Sequence, residues 1–221
     1  MSGDKKRIAV LISGRGSNMK ALIEAARAPE FPAEIVLVLS NKSDAPGLES
    51  AARASIETLA ISHKDFFSRE AFDQALVEAL EAARIDLVCL AGFMRIFSPV
   101  FIKAWQGRTI NIHPALLPSF KGLNTHAQAL EAGVTIHGCT VHFVTEDLDA
   151  GPIIVQAAVP VLGNDTEATL SGRVLAMEHR IYPQALSLVA SGQVRIEGCR
   201  VVRNKKGSGD QMLISPEPDL Q

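Results

Sequence analysis

The sequence predicts an α/β fold built on a single doubly wound, mostly parallel β-sheet, with an antiparallel extension toward the C-terminus. Several short runs are apolar throughout rather than alternating, which is typical of strands buried on both faces of a parallel sheet. They alternate with segments whose apolar residues recur at helical spacing, as expected for the covering helices. With 221 residues, 47% of them hydrophobic, the chain is long enough to bury one such core.

Each predicted element has a pattern of its own along the chain. The apolar runs predict strands, in order, at 8–12, 35–39, 85–90, 109–112 and 140–144. Residues 153–161 alternate less clearly and predict an antiparallel or edge strand. Apolar residues at helical spacing predict a helix after the first strand, a second over 68–83 and a long final helix over 170–189. We expect this last helix to be interrupted or bent near Pro183, because proline lacks the N–H that a helix needs.

Composition and charge exclude several classes of protein. A formal net charge of -2 with interspersed signs gives no general signal for nucleic acid or membrane. The first apolar run is too short for a signal peptide, and no later run approaches bilayer length. Three widely separated cysteines, Cys89, Cys139 and Cys199, suit a reducing compartment. We therefore expect a cytoplasmic protein with one domain over 1–203 and a flexible tail over 204–221, which is polar and contains two prolines.

Three unusual segments follow predicted strands, at 14–18, 92–97 and 111–114. In open α/β sheets, ligands bind beyond the carboxyl ends of the strands. If the strands are parallel, all three segments meet at one edge of the sheet. The sequence therefore predicts one composite site.

The glycine-rich segment 14–18 lies between a strand and a helix and suits a phosphate group. Gly14 and Gly16 allow close approach of the backbone, and the helix N-terminus directs free N–H groups at an anion. Met19 stands at the third glycine position of a dinucleotide fingerprint, and no P-loop motif is present, so we expect neither NAD nor ATP. A tight turn with Ser17 or Asn18 as helix cap is an equally good interpretation of the loop alone. Its place at the shared edge favours a terminal phosphate monoester.

Asn111 and His113 are the strongest catalytic candidates. Side chains alternate along a strand, so the amide and the imidazole share one face. A carboxylate beside the imidazole would fix its tautomer and favour its charged form. Such a trio suits acyl transfer through a tetrahedral oxyanion. The residues alone leave the carboxylate open among Glu146, Asp147 and Asp149, and a buried structural histidine is an equal alternative for His113.

The histidine pattern predicts no metal site. His137 and His142 lie five residues apart in a strand pattern, so they point to opposite faces and cannot chelate one ion together. No HxxxH or HExxH motif is present.

Seven motifs along the chain are informative when taken together: ISGRGSN (12–18), SNK (40–42), SRE (68–70), LAGFMRI (90–96), NIHPALLP (111–118), HGCTVHFV (137–144) and LDAGP (148–152). Singly, some of them are common, but together, in order and at compatible spacing, they are highly specific. On these motifs the chain resembles, from about residue 7 to residue 200, the phosphoribosylglycinamide formyltransferases, the folate-dependent transformylases of purine synthesis.

The resemblance implies transfer of the formyl group of 10-formyltetrahydrofolate, a co-substrate, to the amine of glycinamide ribonucleotide. Asn111 would donate a hydrogen bond to the oxyanion, and His113 would stabilise the intermediate and help to move protons. Asp149 would lie beside His113 and tune it. The choice of Asp149 rests on the resemblance. Both partners would be small molecules, and we expect a monomer or weak homodimer without metal.

The resemblance also assigns substrate-binding residues. The phosphate would lie on Gly16, Ser17 and Asn18, and Glu178 would bind the sugar hydroxyls. Arg69 would lie near the glutamate tail of the folate, where a guanidinium suits a carboxylate, although it is equally readable as an exposed helix charge. The full set implied for folate is Arg69, Met94, Arg95, Ile96, Phe97, Asn111, Thr145, Glu146, Asp147, Leu148 and Asp149.

One departure and three rival functions remain. Asn124 stands where a histidine is expected in many members. Methionyl-tRNA formyltransferases carry a basic C-terminal domain and lack this glycine loop. Formyltetrahydrofolate deformylases, the closer rival, carry an extra N-terminal domain, whereas here the core pattern begins near Arg7. A catalytically silent nucleotide- or folate-binding module would have no need of an oxyanion donor such as Asn111.

Overall fold

Residues 5–204 are described by the computed structural model, and a seven-stranded sheet runs through them. Its strands are β1 (Lys6–Ile12), β2 (Ala33–Ser40), β3 (Glu57–Ala60), β4 (Leu87–Leu90), β5 (Thr109–His113), β6 (Ile136–Phe143) and β7 (Ile153–Pro160). They lie in the order β3-β2-β1-β4-β5-β6-β7. The first five in that order are parallel, whereas β6 pairs antiparallel with both β5 and β7. The predicted mostly parallel sheet with an antiparallel extension is confirmed.

Helices cover both faces of this sheet. They are α1 (Ser17–Ala26), α2 (Pro46–Arg53), α3 (Arg69–Ala82), α4 (Pro99–Ala104), α5 (Thr125–Glu131) and α6 (Glu167–Ala190). Because side chains alternate along a strand, Val10 packs in the core layer that contains α1 and α6, and Leu11 packs in the layer that contains α3 and α4. A small hairpin of β8 (Val194–Glu197) and β9 (Arg200–Arg203) follows α6.

The structure corrects the predicted elements in two respects. The strand β3 has no apolar signature because all four of its residues are exposed, which is possible only at a sheet edge. The helices α2, α4 and α5 contain 8, 6 and 7 residues, too few for a helical period to stand out. The sequence pattern does not predict these four elements or the final hairpin.

The sequence predicts that the last helix is interrupted or bent near Pro183, and the interruption is wrong. The helix α6 continues from Glu167 to Ala190 with Pro183 inside it. Tyr182, Ala185 and Leu186 around the proline are fully buried, and α6 packs against α1, β6 and β7. Packing on this scale outweighs the roughly 3 kcal/mol that an internal proline costs.

Two sequence expectations concern parts of the chain beyond the fold core. The predicted tail, 204–221, lies outside the described residues except for Asn204. Within 5–204, no helix combines the length and the apolar character that crossing a bilayer requires.

Candidate active site

The three unusual segments do meet at one edge of the sheet. Since β1, β4 and β5 are adjacent and parallel, the loops that follow them all leave from their carboxyl ends. The loops after β1 and β4 are joined directly, because the backbone N–H of Ser13 donates to the Gly92 carbonyl at 3.2 Å. The predicted composite site is therefore confirmed as a juxtaposition of these segments.

A cavity of about 520 Å³ opens at this edge, between the loop after β4, the end of β5 and the loop after β6. This volume lies in the range of pockets that hold small organic ligands. The side chains of Met94 and Ile96 are 63% and 60% exposed, so they present apolar surface at the cavity. The remaining sequence-predicted residues that line it are Arg95, Phe97, Asn111, His113, Thr145, Glu146, Asp147, Leu148 and Asp149.

At the base of this cavity, β5 presents Asn111 and His113, and the β6–β7 loop presents Asp149. The Nδ1 atom of His113 lies 3.4 Å from Oδ2 of Asp149. On the other side of the ring, Nε2 of His113 donates to the Phe120 carbonyl at 2.9 Å. Both ring nitrogens thus face oxygens that can accept a hydrogen bond.

The structure distinguishes among the three candidate carboxylates. Asp149 is buried, whereas Glu146 and Asp147 are exposed. The backbone N–H of Gly122 donates to Oδ2 of Asp149 at 2.9 Å, and Asp149 has a left-handed φ of 48°. A Cβ on Gly151 would lie only 1.8 Å from the Phe143 carbonyl oxygen. Glycine there lets the loop fold back onto β6, which turns the Asp149 carboxylate inward.

Sequence reasoning missed His142 as a site residue. It lies directly opposite Asn111 in the antiparallel register of β5 and β6, and Asn111 Nδ2 donates to His142 Nε2 at 3.3 Å. The Nδ1 atom of His142 donates to the Phe143 carbonyl at 2.9 Å. Burial lowers the pKa of His142, which outweighs the opposite effects of that carbonyl and of Asp149, so Nε2 is available as an acceptor.

This contact fixes the orientation of the Asn111 amide. An amide nitrogen carries two N–H groups, and His142 engages one of them. Asn111 lines the cavity, so its second N–H is available to a ligand oxygen there. The signal that could have found His142 is the strand register, which cannot be read from the sequence without knowing that β6 runs antiparallel.

The glycine loop forms a separate cradle beside the cavity. Gly16 has a φ of 68° and α1 begins directly after it, and in the described chain no side chain caps this helix. The interpretation in which Ser17 or Asn18 caps the helix is therefore wrong. The N–H of Gly47 donates to the Gly14 carbonyl at 3.0 Å, and a Cβ on Gly47 would lie 2.9 Å from that oxygen. Glycine on α2 thus allows a close backbone contact that supports the loop.

Glu178 on α6 reaches this cradle. Asn18 Nδ2 donates to Glu178 Oε2 at 2.6 Å, and both side chains are buried. Burial raises the pKa of the Glu178 carboxyl, and the hydrogen bond from Asn18 partly offsets that effect. Gly16, Ser17, Asn18 and Glu178 lie outside the lining of the cavity, so the site has two neighbouring regions.

Comparison with known proteins agrees with this geometry. A family model described as formyl transferase matches residues 6–186. The chain belongs to the formyltransferase family. The phosphoribosylglycinamide formyltransferase of Escherichia coli (strain K12) is 48% identical to this formyltransferase over 189 residues, which cover 86% of the chain and 89% of the relative.

Longer proteins and solved structures are also similar to this chain. The trifunctional purine biosynthetic protein adenosine-3 of Bos taurus is 58% identical over 192 residues, 87% of this chain, and the chain spans only 19% of that protein. Glycinamide ribonucleotide transformylase 1 from Symbiobacterium toebii superimposes with a TM-score of 0.88 at 51% identity, covering 90% of this chain and 94% of that one. Phosphoribosylglycinamide formyltransferase from Brucella melitensis gives a TM-score of 0.82 at 54% identity, covering 87% and 99%.

Some predicted residues of the formyltransferase lie away from the cavity or lack partners. Arg69 is exposed at the start of α3 and does not line the cavity. Arg95 is half-buried, and its Nε is buried without a hydrogen-bond partner among the described residues. Asn124, the departure from the family pattern, is exposed at the start of α5 and lines the cavity. Among residues 5–204, no group of three potential metal-ligating side chains lies close enough together to hold an ion.

Proposed function

We propose that the chain transfers the formyl group of 10-formyltetrahydrofolate to the amine of glycinamide ribonucleotide, as a phosphoribosylglycinamide formyltransferase of purine biosynthesis. The observation that carries the proposal is the position of Asn111, His113 and Asp149. These side chains line an apolar cavity suited to a pterin, and the glycine cradle, which suits a phosphate, follows β1 at the same edge of the sheet. The names of the relatives support formyl transfer to glycinamide ribonucleotide.

In the reaction, the substrate amine attacks the formyl carbon and a tetrahedral oxyanion forms. Asn111, its amide held by His142, donates the free N–H to that oxyanion. The imidazole of His113 supplies further stabilisation, and Asp149 beside Nδ1 holds and tunes it. Breaking the bond between the formyl carbon and the folate nitrogen then releases tetrahydrofolate. The amine loses one proton and the departing nitrogen gains one, and His113 with Asp149 takes part in this movement.

The two regions divide the binding of the substrates. Backbone N–H groups of Gly16, Ser17 and Asn18 bind the phosphate at the start of α1. Glu178 accepts hydrogen bonds from the sugar hydroxyls, since one carboxylate oxygen is engaged by Asn18 and the other remains available.

The folate lies in the cavity. Apolar side chains of Met94, Ile96 and Leu148 contact the pterin, and backbone groups of 145–149 pair with its edge. The exposed guanidinium of Arg69 pairs with a carboxylate of the glutamate tail. We propose in addition that the enzyme needs only these two small molecules, without metal, NAD or ATP. It acts in the cytoplasm as a monomer or weak homodimer, independently of nucleic acid and membrane.

Absorbance-monitored conversion of 10-formyltetrahydrofolate, with and without glycinamide ribonucleotide, tests the proposal. Conversion that requires the ribonucleotide and yields its formylated product is the expected result. Conversion at the same rate without the ribonucleotide would make the protein a deformylase. No conversion under either condition would make it a binding module.

A further inference from the structure

Ser13, the residue after β1, makes two hydrogen bonds to the loop after β4 and one to Asn41. Its backbone N–H donates to the Gly92 carbonyl at 3.2 Å, and its Oγ accepts from the Met94 N–H at 2.8 Å. The same hydroxyl donates to Oδ1 of Asn41 at 2.6 Å. The serine side chain thus has both its donor and an acceptor engaged within the protein.

Ser13 and its hydrogen-bond partner Asn41 are both buried. Ser13 is 7% exposed and Asn41, which follows β2, is 2% exposed. The amide nitrogen of Asn41 is in turn 3.3 Å from Nδ1 of His63. A hydrogen bond between buried groups is costly to break, because each group left alone loses its hydration without compensation.

Ser13 is adjacent in sequence to one region of the site and hydrogen-bonded to the other. The next five residues, 14–18, form the phosphate cradle, so any ligand that orders this loop also orders Ser13. Gly92 and Met94, which Ser13 holds, belong to the loop that forms the apolar wall of the cavity. Ser13 therefore connects the two regions directly.

The far end of this wall has a different anchor. Asp73 on α3 is 1% exposed, and its Oδ2 accepts from the Ser98 N–H at 2.5 Å, directly after the wall segment 92–97. Within 5–204, the hydrogen bonding of Asp73 reaches this end of the wall and not the cradle. Asp73 and Ser13 therefore hold the same wall, but of these two residues it is Ser13 that connects the wall to the ribonucleotide region.

We propose that Ser13 is a positioning residue that couples the two substrate sites, so that a ribonucleotide in the cradle tightens the binding of folate at the wall, and the reverse. The inference rests on the proposed function, because it takes these two ligands as occupants. The first ligand orders residues 13–18 and, through Ser13, the wall, so the second ligand loses less conformational entropy on binding. Linkage requires the effect to be the same in both directions.

The test is a binding cycle with tetrahydrofolate, which carries no formyl group and therefore cannot react with the ribonucleotide. Calorimetry gives the Kd of tetrahydrofolate with and without saturating glycinamide ribonucleotide for the wild-type chain, Ser13→Ala and Asp73→Asn. We expect the ribonucleotide to tighten tetrahydrofolate binding by at least about 5-fold in the wild type, the low end of typical coupling. Ser13→Ala loses the hydrogen bond from the Met94 N–H and reduces this factor, although the backbone bond to Gly92 remains. Asp73→Asn weakens the binding of tetrahydrofolate equally with and without the ribonucleotide. The ratio of the two Kd values therefore stays as in the wild type.

Two results would overturn the coupling: a wild-type factor near one, or an unchanged factor in Ser13→Ala. Should Ser13→Ala fail to fold, Ser13→Cys replaces the hydroxyl that accepts from the Met94 N–H by a weakly accepting thiol and is expected to reduce the factor as well. Hydrogen exchange of the Met94 amide by NMR provides a second readout. We expect the ribonucleotide to slow it in the wild type and in Asp73→Asn, and an unchanged rate contradicts the coupling. Failure of the proposed function is distinct, because the wild type would then bind neither ligand or transfer no formyl group.

Discussion

His113 Nδ1 lies 3.4 Å from Asp149 Oδ2, and the two side chains are only 5% and 8% exposed. A buried carboxylate is costly unless polar groups compensate it, and Oδ2 of Asp149 accepts from the Gly122 N–H at 2.9 Å. The same oxygen faces the His113 imidazole, and Oδ1 lies 3.8 Å from Nε2 of His142. This pair stands at the end of the sheet where the cavity opens, so its polar groups face the region in which the reaction is proposed to occur.

Replacing the imidazole tests its part in the chemistry. We expect His113→Ala to lower kcat by at least roughly 100-fold, the low end for a positioned acid–base group. The Kd of tetrahydrofolate changes little, because the apolar wall at Met94 and Ile96 is unaffected. Steady-state rates and calorimetry give the two numbers. A near-normal kcat would contradict the role given to His113.

Replacing Asp149 by asparagine removes the negative charge but keeps a side chain of nearly the same shape, so it tests the contribution of the charge to kcat. Asp149→Asn keeps an oxygen that can accept from the Gly122 N–H but loses the carboxylate beside His113. We expect kcat to fall by roughly 100-fold, with both KM values close to those of the wild type. Thermal unfolding serves as the control for folding. Loss of activity that merely follows loss of folded protein would show a structural role only.

Because His142 orients the amide of Asn111, we expect its replacement to lower kcat. In His142→Phe, Asn111 Nδ2 loses its acceptor and the amide is free to rotate, so kcat is expected to fall about 10-fold to 100-fold, in line with a mispositioned oxyanion donor. Binding of the ribonucleotide, whose cradle is on α1, stays unchanged. If kcat survives while KM for the ribonucleotide rises, the contact between His142 and Asn111 does not serve catalysis.

Glu178 predicts an effect on the ribonucleotide alone. Glu178→Gln removes a charged acceptor, and hydrogen bonds to charged groups contribute about 1.5–3 kcal/mol, so KM for the ribonucleotide rises roughly 10-fold to 100-fold. KM for the folate stays constant. Glu24→Gln is the matched control, because Glu24 lies on α1 near the cradle but is 73% exposed. Equal effects of the two substitutions would remove Glu178 from the site.

The fully buried His137 predicts a loss of stability in acid. Burial lowers the pKa of His137 to about 4, and neighbouring His126 adds to the effect. Because the unfolded chain binds a proton that the folded chain refuses, stability falls as pH drops below the ordinary value near 6.5 and levels off near the folded pKa. The loss is on the order of 3 kcal/mol.

Urea unfolding at several pH values measures this slope. In His137→Phe, the part of the slope between about pH 6.5 and about pH 4 that belongs to this residue disappears. His63→Phe, at a half-buried surface position, is the comparison in which the slope is retained. An identical slope in wild type and His137→Phe would assign the acid sensitivity to other groups.

Much of the fold can be predicted because buried strands and helices have recognisable patterns of apolar residues. Strands such as β1 and β4 are apolar on both faces, and their carboxyl ends locate the segments that form one site. The edge strand β3 has no such pattern, since its residues are exposed. The expected interruption of α6 at Pro183 is wrong because packing around Tyr182 outweighs the cost of a proline inside a helix. Packing partners cannot be read from a local sequence pattern.

The residues of the site likewise include some that can be predicted from the sequence and some that cannot. Asn111 and His113 can be paired from strand alternation alone. The burial of Asp149 relative to Asp147 depends on the close contact of Gly151 with Phe143, which has no local signature. Finding His142 requires the antiparallel register. Local chemistry is thus readable from the sequence, whereas the partners that orient it depend on pairings between distant segments.

The antiparallel arrangement of β6 beside β5 has a consequence for how such an enzyme can change. Asn111, His113 and His142 all lie on these two strands, whereas the cradle is formed by the loop after β1 and the start of α1. A loop tolerates insertion and replacement far better than a central strand. A new formyl acceptor therefore requires changes in the loop after β1, while Asn111, His113 and His142 stay on their rigid strands.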